Sequence, residues 1–158
     1  MTTQPAVRHP LAGLAVFAAA VAAAAVVGSL AATSSAERYQ QLDTPSWAPP
    51  PWLFGPVWTV LYIMIAVSGW LFWKRHGVRW ELGLFAAQLV LNAAWTPLFF
   101  AAQRYALALV DIIALLFVVV ALVVAFGRRH RPAALLLVPY LAWVGFATAL
   151  NAAIVSLN

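Results

Sequence analysis

The sequence predicts an all-α integral membrane protein, a bundle of five transmembrane helices in a single domain spanning 1–158. Three observations carry that prediction. Hydrophobic residues make up 65% of the 158-residue chain and charged residues only 8%, against roughly 25% charged in an ordinary soluble domain. So few charges cannot cover such a core in water. The apolar runs are long and continuous rather than short and alternating, which selects helices over a closed barrel in hydrocarbon. The basic residues arrive in short bursts between these runs, as topology signals do.

The polar lead 1–10 carries Arg8 and His9, and the first run follows over 11–32. Its 22 residues exceed the core of about 7–15 in a secretory leader and match the roughly 20 needed to cross a bilayer. The connection 33–56 is the long one. Pro45, Pro49, Pro50 and Pro51 deny it regular helical hydrogen bonding. With Trp47 and Trp52 among those prolines, it suits an ordered lid better than a loose tether. The second span is expected over 57–73, opened by Pro56 in the first turn. The third covers 82–100, the fourth 106–126 and the fifth 133–157, joined by a basic loop ending at Glu81, a tight turn at Gln103-Arg104 and the cluster Arg128, Arg129, His130, Arg131. Five spans do not divide into two equal inverted halves, which argues against the common transporter plan.

Orientation follows from the basic residues. Arg8, Lys74, Arg75, Arg79, Arg128, Arg129 and Arg131 fall on one side, and Arg38 and Arg104 on the other. Positive-inside therefore predicts a cytoplasmic N-terminus, with the Trp/Pro loop and the C-terminus outside a plasma membrane. The net charge of +5 is thereby explained without nucleic acid, for which no basic-aromatic groove pattern exists. Cysteine is absent, which excludes disulfides and thiolate chemistry. His9, His76 and His130 lack metal-ligand spacing, and no phosphate-binding or nucleophile motif appears. No metal and no required cofactor are expected.

Few polar side chains fall inside the spans. Gln88, Asn92, Trp95 and Phe99 share one face of the third helix; Tyr140, Trp143, Ala147 and Asn151 share one of the fifth; Trp58 and Tyr62 lie a turn apart on the second. Amides avoid lipid, so these stripes should turn inward. Two readings stay open. The amides can simply bond between helices, at about 0.6 kcal/mol each. Alternatively they orient a ligand in an aromatic-walled pocket. Asp111 is the one acid read inside a span, and an ion pair with Arg104 is preferred to proton transfer. Trp70, Trp73 and Trp80 read as interface anchors. Gly83/Ala87 and Gly145/Ala149 are small-xxx-small pairs on which a homodimer could form.

Longer blocks are more specific. Pro-Ser-Trp-Ala-Pro-Pro-Pro-Trp (45–52), Phe-Gly-Pro-Val-Trp-Thr-Val-Leu-Tyr (54–62), Gln-Leu-Val-Leu-Asn-Ala-Ala-Trp-Thr-Pro-Leu-Phe-Phe (88–100), Ala-Leu-Val-Asp (108–111) and Val-Pro-Tyr-Leu-Ala-Trp-Val-Gly-Phe-Ala-Thr-Ala-Leu-Asn (138–151) stand in this order. Together they resemble the signature of the TspO/translocator protein family, the tryptophan-rich sensory proteins. The resemblance implies a five-helix bundle, often dimeric, in a bacterial plasma membrane, with a ligand cavity beneath the first loop. Members bind porphyrins, including protoporphyrin IX, and isoquinoline or benzodiazepine-type drugs. Carried over by motif, the ligand-binding residues would be Trp47 and Trp52 from the lid and Trp58 and Tyr62 below it. Asn92 and Trp95 would come from the third span, and Tyr140, Trp143, Phe146, Ala147 and Leu150 from the fifth.

Some family members are similar to light-dependent porphyrin-degrading catalysts, which makes Trp58 and Trp143 the candidate catalytic residues. This chain departs from the pattern in having Arg38-Tyr39 where family loops commonly read Trp-Tyr. The departure counts against degradation and offers Arg38 as a partner for a porphyrin propionate. Ala152 stands where animal members have the tyrosine of a sterol-recognition pattern, and no Lys or Arg follows Arg131. The expected function is thus a membrane receptor or sensor for porphyrins and similar flat hydrophobic ligands. A light- and oxygen-dependent porphyrin-degrading enzyme ranks second and a tetrapyrrole or lipid transporter third.

Overall fold

The structure, a computed structural model, describes residues 9–32 and 35–158. Arg8 and the start of the loop at 33–34 lie outside them. The elements are α1 (Pro10–Ala31), a short α2 (Ser35–Gln40) within the first connection, a 3-10 turn (Pro51–Leu53), α3 (Phe54–His76), α4 (Glu81–Thr96), a π turn (Pro97–Ala101), α5 (Tyr105–Arg129) and α6 (Arg131–Leu157). No strand occurs among the described residues. Five of the helices are long and apolar enough to cross a membrane. The all-α, five-span architecture is therefore the one found.

Boundaries shift where local chemistry differs from hydropathy. The second span starts at Phe54 because the 3-10 turn feeds directly into it, and it continues to His76. Gly77 then ends it at φ 70°, where its N–H bonds the Trp73 carbonyl at 2.7 Å, a left-handed cap that glycine adopts without steric cost. The basic cluster after the fourth span is almost wholly helical. Only His130 breaks the chain between α5 and α6, and its Nδ1 caps α6 by accepting the Ala133 N–H at 3.2 Å.

The five long helices form a closed ring in the order α1, α3, α6, α5, α4. Its core is apolar and tightly packed, centred on Ile65, Phe72, Leu122, Phe126, Leu137 and Ile154. Phe72 and Phe126 lie flat on one another, 4.1 Å between centroids. At the basic end α1 and α3 are bolted together. Gly13 sits so close to the Trp73 ring that a Cβ there would overlap it, and the Trp70 indole N–H donates to the Pro10 carbonyl at 2.7 Å. Trp70 and Trp73 thus join helices as well as lying at a membrane end, whereas Trp80 is exposed as an interface anchor would be.

Two charged residues behave differently from expectation. Among the described residues the one ion pair joins Arg129 Nε, in the last turn of α5, to Glu81 Oε1, in the first turn of α4, at 2.5 Å. Arg104 and Asp111 form none. The expected Asp111–Arg104 pair fails because seven residues, or nearly two helical turns, separate them. Glu81, read as a loop residue, is fully buried instead.

Candidate functional site

The lid is ordered by what it touches. Arg38 Nη1 donates to the Phe100 carbonyl at 2.5 Å, satisfying a carbonyl at the end of the π turn that no helical N–H reaches. Its guanidinium is therefore engaged by backbone rather than presented to a ligand. Next to it Tyr39 is buried edge-on against Phe54, centroids 5.5 Å apart, and burial raises its phenol above the ordinary 10.0. At the far end of the lid, Asn158 Nδ2 donates to the Asp43 carbonyl at 2.9 Å, and the Asp43 N–H donates back to Asn158 Oδ1 at 3.1 Å. Trp47 closes the remaining side, edge-on to Phe146 at 5.7 Å.

Beneath this lid lies a cavity of about 340 Å³ between α1, α3 and α4. Trp58 and Tyr62 stack along one wall, 5.3 Å apart at 30°. Trp95, Thr96 and Phe100 form the α4 wall, and Ala25, Gly28, Ser29 and Ala32 the α1 wall. Tyr39, Pro51 and Phe54 make the roof, with Gly55 and Thr59 beside Trp58. Among the described residues the Trp58 indole N–H and the Thr96 hydroxyl have no hydrogen-bond partner, whereas the Thr59 hydroxyl bonds the Gly55 carbonyl at 2.9 Å. The volume falls at the lower end of ligand pockets, about 300–1,000 Å³.

The amides have a different task. Tyr62 Oη donates to Asn92 Oδ1 at 2.8 Å, Asn92 Nδ2 to Tyr140 Oη at 3.1 Å, and Tyr140 Oη to Gln88 Oε1 at 2.8 Å. A second chain runs from Trp95 Nε1 to Asn151 Oδ1 at 3.2 Å and from Asn151 Nδ2 to the Tyr105 carbonyl at 3.1 Å. The interhelical reading of Gln88, Asn92 and Asn151 is thus the one the geometry supports. The network pins α3, α4, α5 and α6 and orients Tyr62 and Trp95 on the cavity wall. Tyr140→Phe removes two of these bonds and is expected to cost about 1–2 kcal/mol. Thermal unfolding in detergent checks this; an unchanged midpoint would mean the network contributes nothing.

Of the residues expected at the site, Trp58, Tyr62 and Trp95 line the cavity together. Asn92 lies directly behind Tyr62. Tyr140, Ala147 and Leu150 are buried in helix packing. Trp143 stands behind Phe54, centroids 5.9 Å apart, and leans on Phe146, so α6 contributes no wall to this cavity. Trp47 touches Phe146, and Trp52 is 70% exposed and not part of the cavity lining. Sequence reasoning missed Gly28, Tyr39, Phe54, Thr96 and Phe100. For Phe100 a signal existed in Pro97, which opens the π turn; its wider turn brings position 100, rather than only 99, round to the Trp95 wall.

Fold and site together define a polytopic α-helical membrane protein with an aromatic-walled internal cavity under an anchored loop. Its sequence matches the profile of the TspO/MBR family over residues 15–157. It is 46% identical over 127 residues to a tryptophan-rich protein TspO of Chlorobaculum tepidum, covering 76% of this chain and 78% of that one. To a translocator protein of Homo sapiens it is 44% identical over 118 residues, covering 72% and 70%. To a tryptophan-rich sensory protein of Cereibacter sphaeroides it is 37% identical over 142 residues, covering 90% and 89%. The chain belongs to the TspO/MBR family.

Proposed function

We propose that the chain is a membrane receptor or sensor that binds porphyrins, protoporphyrin IX in particular, and similar flat hydrophobic ligands inside the helix bundle. The observation that carries this reading is the ring-lined cavity itself. Stacked Trp58 and Tyr62 face a wall of Trp95 and Phe100 under Phe54, and flat apolar molecules stack favourably on such surfaces. The relatives named as sensory and translocator proteins support the receptor class. The lid faces the outside and the basic end the cytoplasm.

Titrating protoporphyrin IX into the reconstituted protein is expected to quench tryptophan fluorescence. Trp58→Ala, which removes half of the stacked pair, is expected to weaken binding about tenfold, or roughly 1.4 kcal/mol. An unchanged affinity would remove this cavity from consideration. Turnover is not part of the proposal. Catalysis by Trp58 and Trp143 acting on one porphyrin requires both indoles at the ligand, and of the two only Trp58 lines the cavity, Trp143 packing against Phe54. Under illumination, porphyrin absorbance is expected to decay no faster with the protein than in detergent alone.

A further inference from the structure

The end of the bundle opposite the lid carries charge that the chain itself does not balance. Lys74, Arg75, Arg79, Arg128, Arg129 and Arg131 gather there, against the single carboxylate of Glu81. Glu81 is spent on Arg129, the one ion pair among the described residues. Lys74 lies over the Trp70 ring, 5.0 Å from its centroid. The topology rule accounts for cations on this side. It does not account for the way some of them converge with two histidines on one spot.

That spot is where α3 meets the α5–α6 junction. His76, the last residue of α3, rests on Phe72 with ring centroids 5.0 Å apart, and Phe72 is stacked flat on Phe126. The His76 and His130 rings meet edge to face at 6.0 Å and 82°. The charges of Arg79 and Arg129 act on His76 as well, and the Arg79 Nε–H donates to the His76 carbonyl at 3.3 Å. That bond positions Arg79 and uses one of its five donors. His130 Nδ1 accepts the Ala133 N–H, so its Nε2 carries the proton and is a donor. His76 Nε2 is buried with no partner among the described residues, a cost that the chain leaves uncompensated. Donors from α3, the α3–α4 connection and the α5–α6 junction thus converge, with no carboxylate among the charges that act on His76.

We propose that this cluster holds the phosphate of an anionic phospholipid, gripped by His76, Arg79 and His130, with Val78 and Trp80 seated against its acyl chains. The depth fits. His76 ends one membrane-spanning segment and Arg131 begins another, so the donors stand at the headgroup layer, on the cytoplasmic side by the positive-inside rule. The flanks suit a lipid rather than free phosphate. Val78 and Trp80 stand on either side of Arg79 and are 85% and 65% exposed, a poor arrangement in water but a suitable one beside a headgroup. Basic pockets between helices on the cytoplasmic side bind such headgroups, and each cation near the surface adds to the attraction. The site lies at the opposite end from the cavity and does not depend on what the cavity binds.

The test sets phosphatidylglycerol against phosphatidylcholine on the purified full chain in detergent, with bound lipid counted by native mass spectrometry. Phosphatidylglycerol is expected to bind about tenfold more tightly. Arg79→Gln combined with His130→Asn, in which asparagine can still cap α6, is expected to cut that preference below about twofold. Arg79→Gln alone lies in the connection, outside the core, and decides the matter if the double variant fails to fold. It is expected to lower the preference about threefold, and an unchanged preference would refute the site. Arg128→Gln removes the same charge from the same end, but Arg128 is not among the charges acting on His76. Its preference should stay within about twofold of the parent chain; a loss equal to that of Arg79→Gln would show diffuse surface charge and overturn the proposal. Inorganic phosphate at equal concentration is expected to leave the lipid bound, and displacement would reassign the cluster to the free ion.

Discussion

Arg129→Ala is expected to destabilise the bundle by about 3 kcal/mol, more than any other single surface-end substitution. The reason is asymmetric. Glu81 is completely buried, whereas the Arg129 side chain is 42% exposed. Removing the arginine leaves a carboxylate in a dry site without its counter-charge, the situation that costs about 3–5 kcal/mol in buried pairs, with the lower end favoured because the pair opens partly to solvent. Removing the acid instead lets the guanidinium turn to water, so Glu81→Gln is expected to cost about 1 kcal/mol. The double variant Glu81→Gln/Arg129→Ala should recover most of the loss. The pair also staples the first turn of α4 to the last turn of α5, where each charge complements its helix end. Denaturant unfolding of the three variants forms a double-mutant cycle. A single-variant cost below about 0.5 kcal/mol for Arg129→Ala would show that the contact is ornamental.

That ion pair also marks where the sequence stops being legible. Span number and order follow from hydropathy because the bilayer thickness dictates helix length, and all five spans lie where the apolar runs do. Side-chain periodicity also selected the inward faces of α4 and α6 correctly, since Asn92, Trp95, Tyr140 and Ala147 are all buried, and on α3 the pair Trp58 and Tyr62 turns to the cavity. Facing inward is not the same as facing the cavity. Periodicity cannot say which neighbour an inward residue meets, and α6 turns Tyr140 towards the amides of α4 while the cavity opens beyond Phe54. The α1 wall was invisible for another reason. Alanine and valine surround that helix, so no face stands out, and Gly28 carried no mark. Glu81 was hidden because a charged residue beside Trp80 and Arg79 reads as a loop, although helix α4 begins with it.

Gly28 supports the second large expectation. Gly28→Phe should abolish measurable protoporphyrin IX binding, weakening it on the order of 100-fold, or about 2.7 kcal/mol, without unfolding the protein. Its virtual Cβ points at Thr96 Oγ1 at 3.5 Å and the Tyr62 hydroxyl at 3.9 Å, both on the cavity wall, so a larger side chain fills the void instead of colliding with backbone. Replacing glycine inside a helix also recovers up to roughly 1 kcal/mol of backbone preference, which offsets the modest crowding. Gly69→Ala makes the opposite case on the facing helix. There a single methyl would sit 2.7 Å from two phenyl rings, and about 1–3 kcal/mol of overpacking is expected, with affinity per folded molecule unchanged because the site lies elsewhere. Isothermal titration and thermal unfolding of both variants separate the two effects. Binding that survives Gly28→Phe at wild-type strength would mean that the ligand sits outside this cavity, and the receptor proposal would have to be rebuilt around the rings of Trp143 and Phe146.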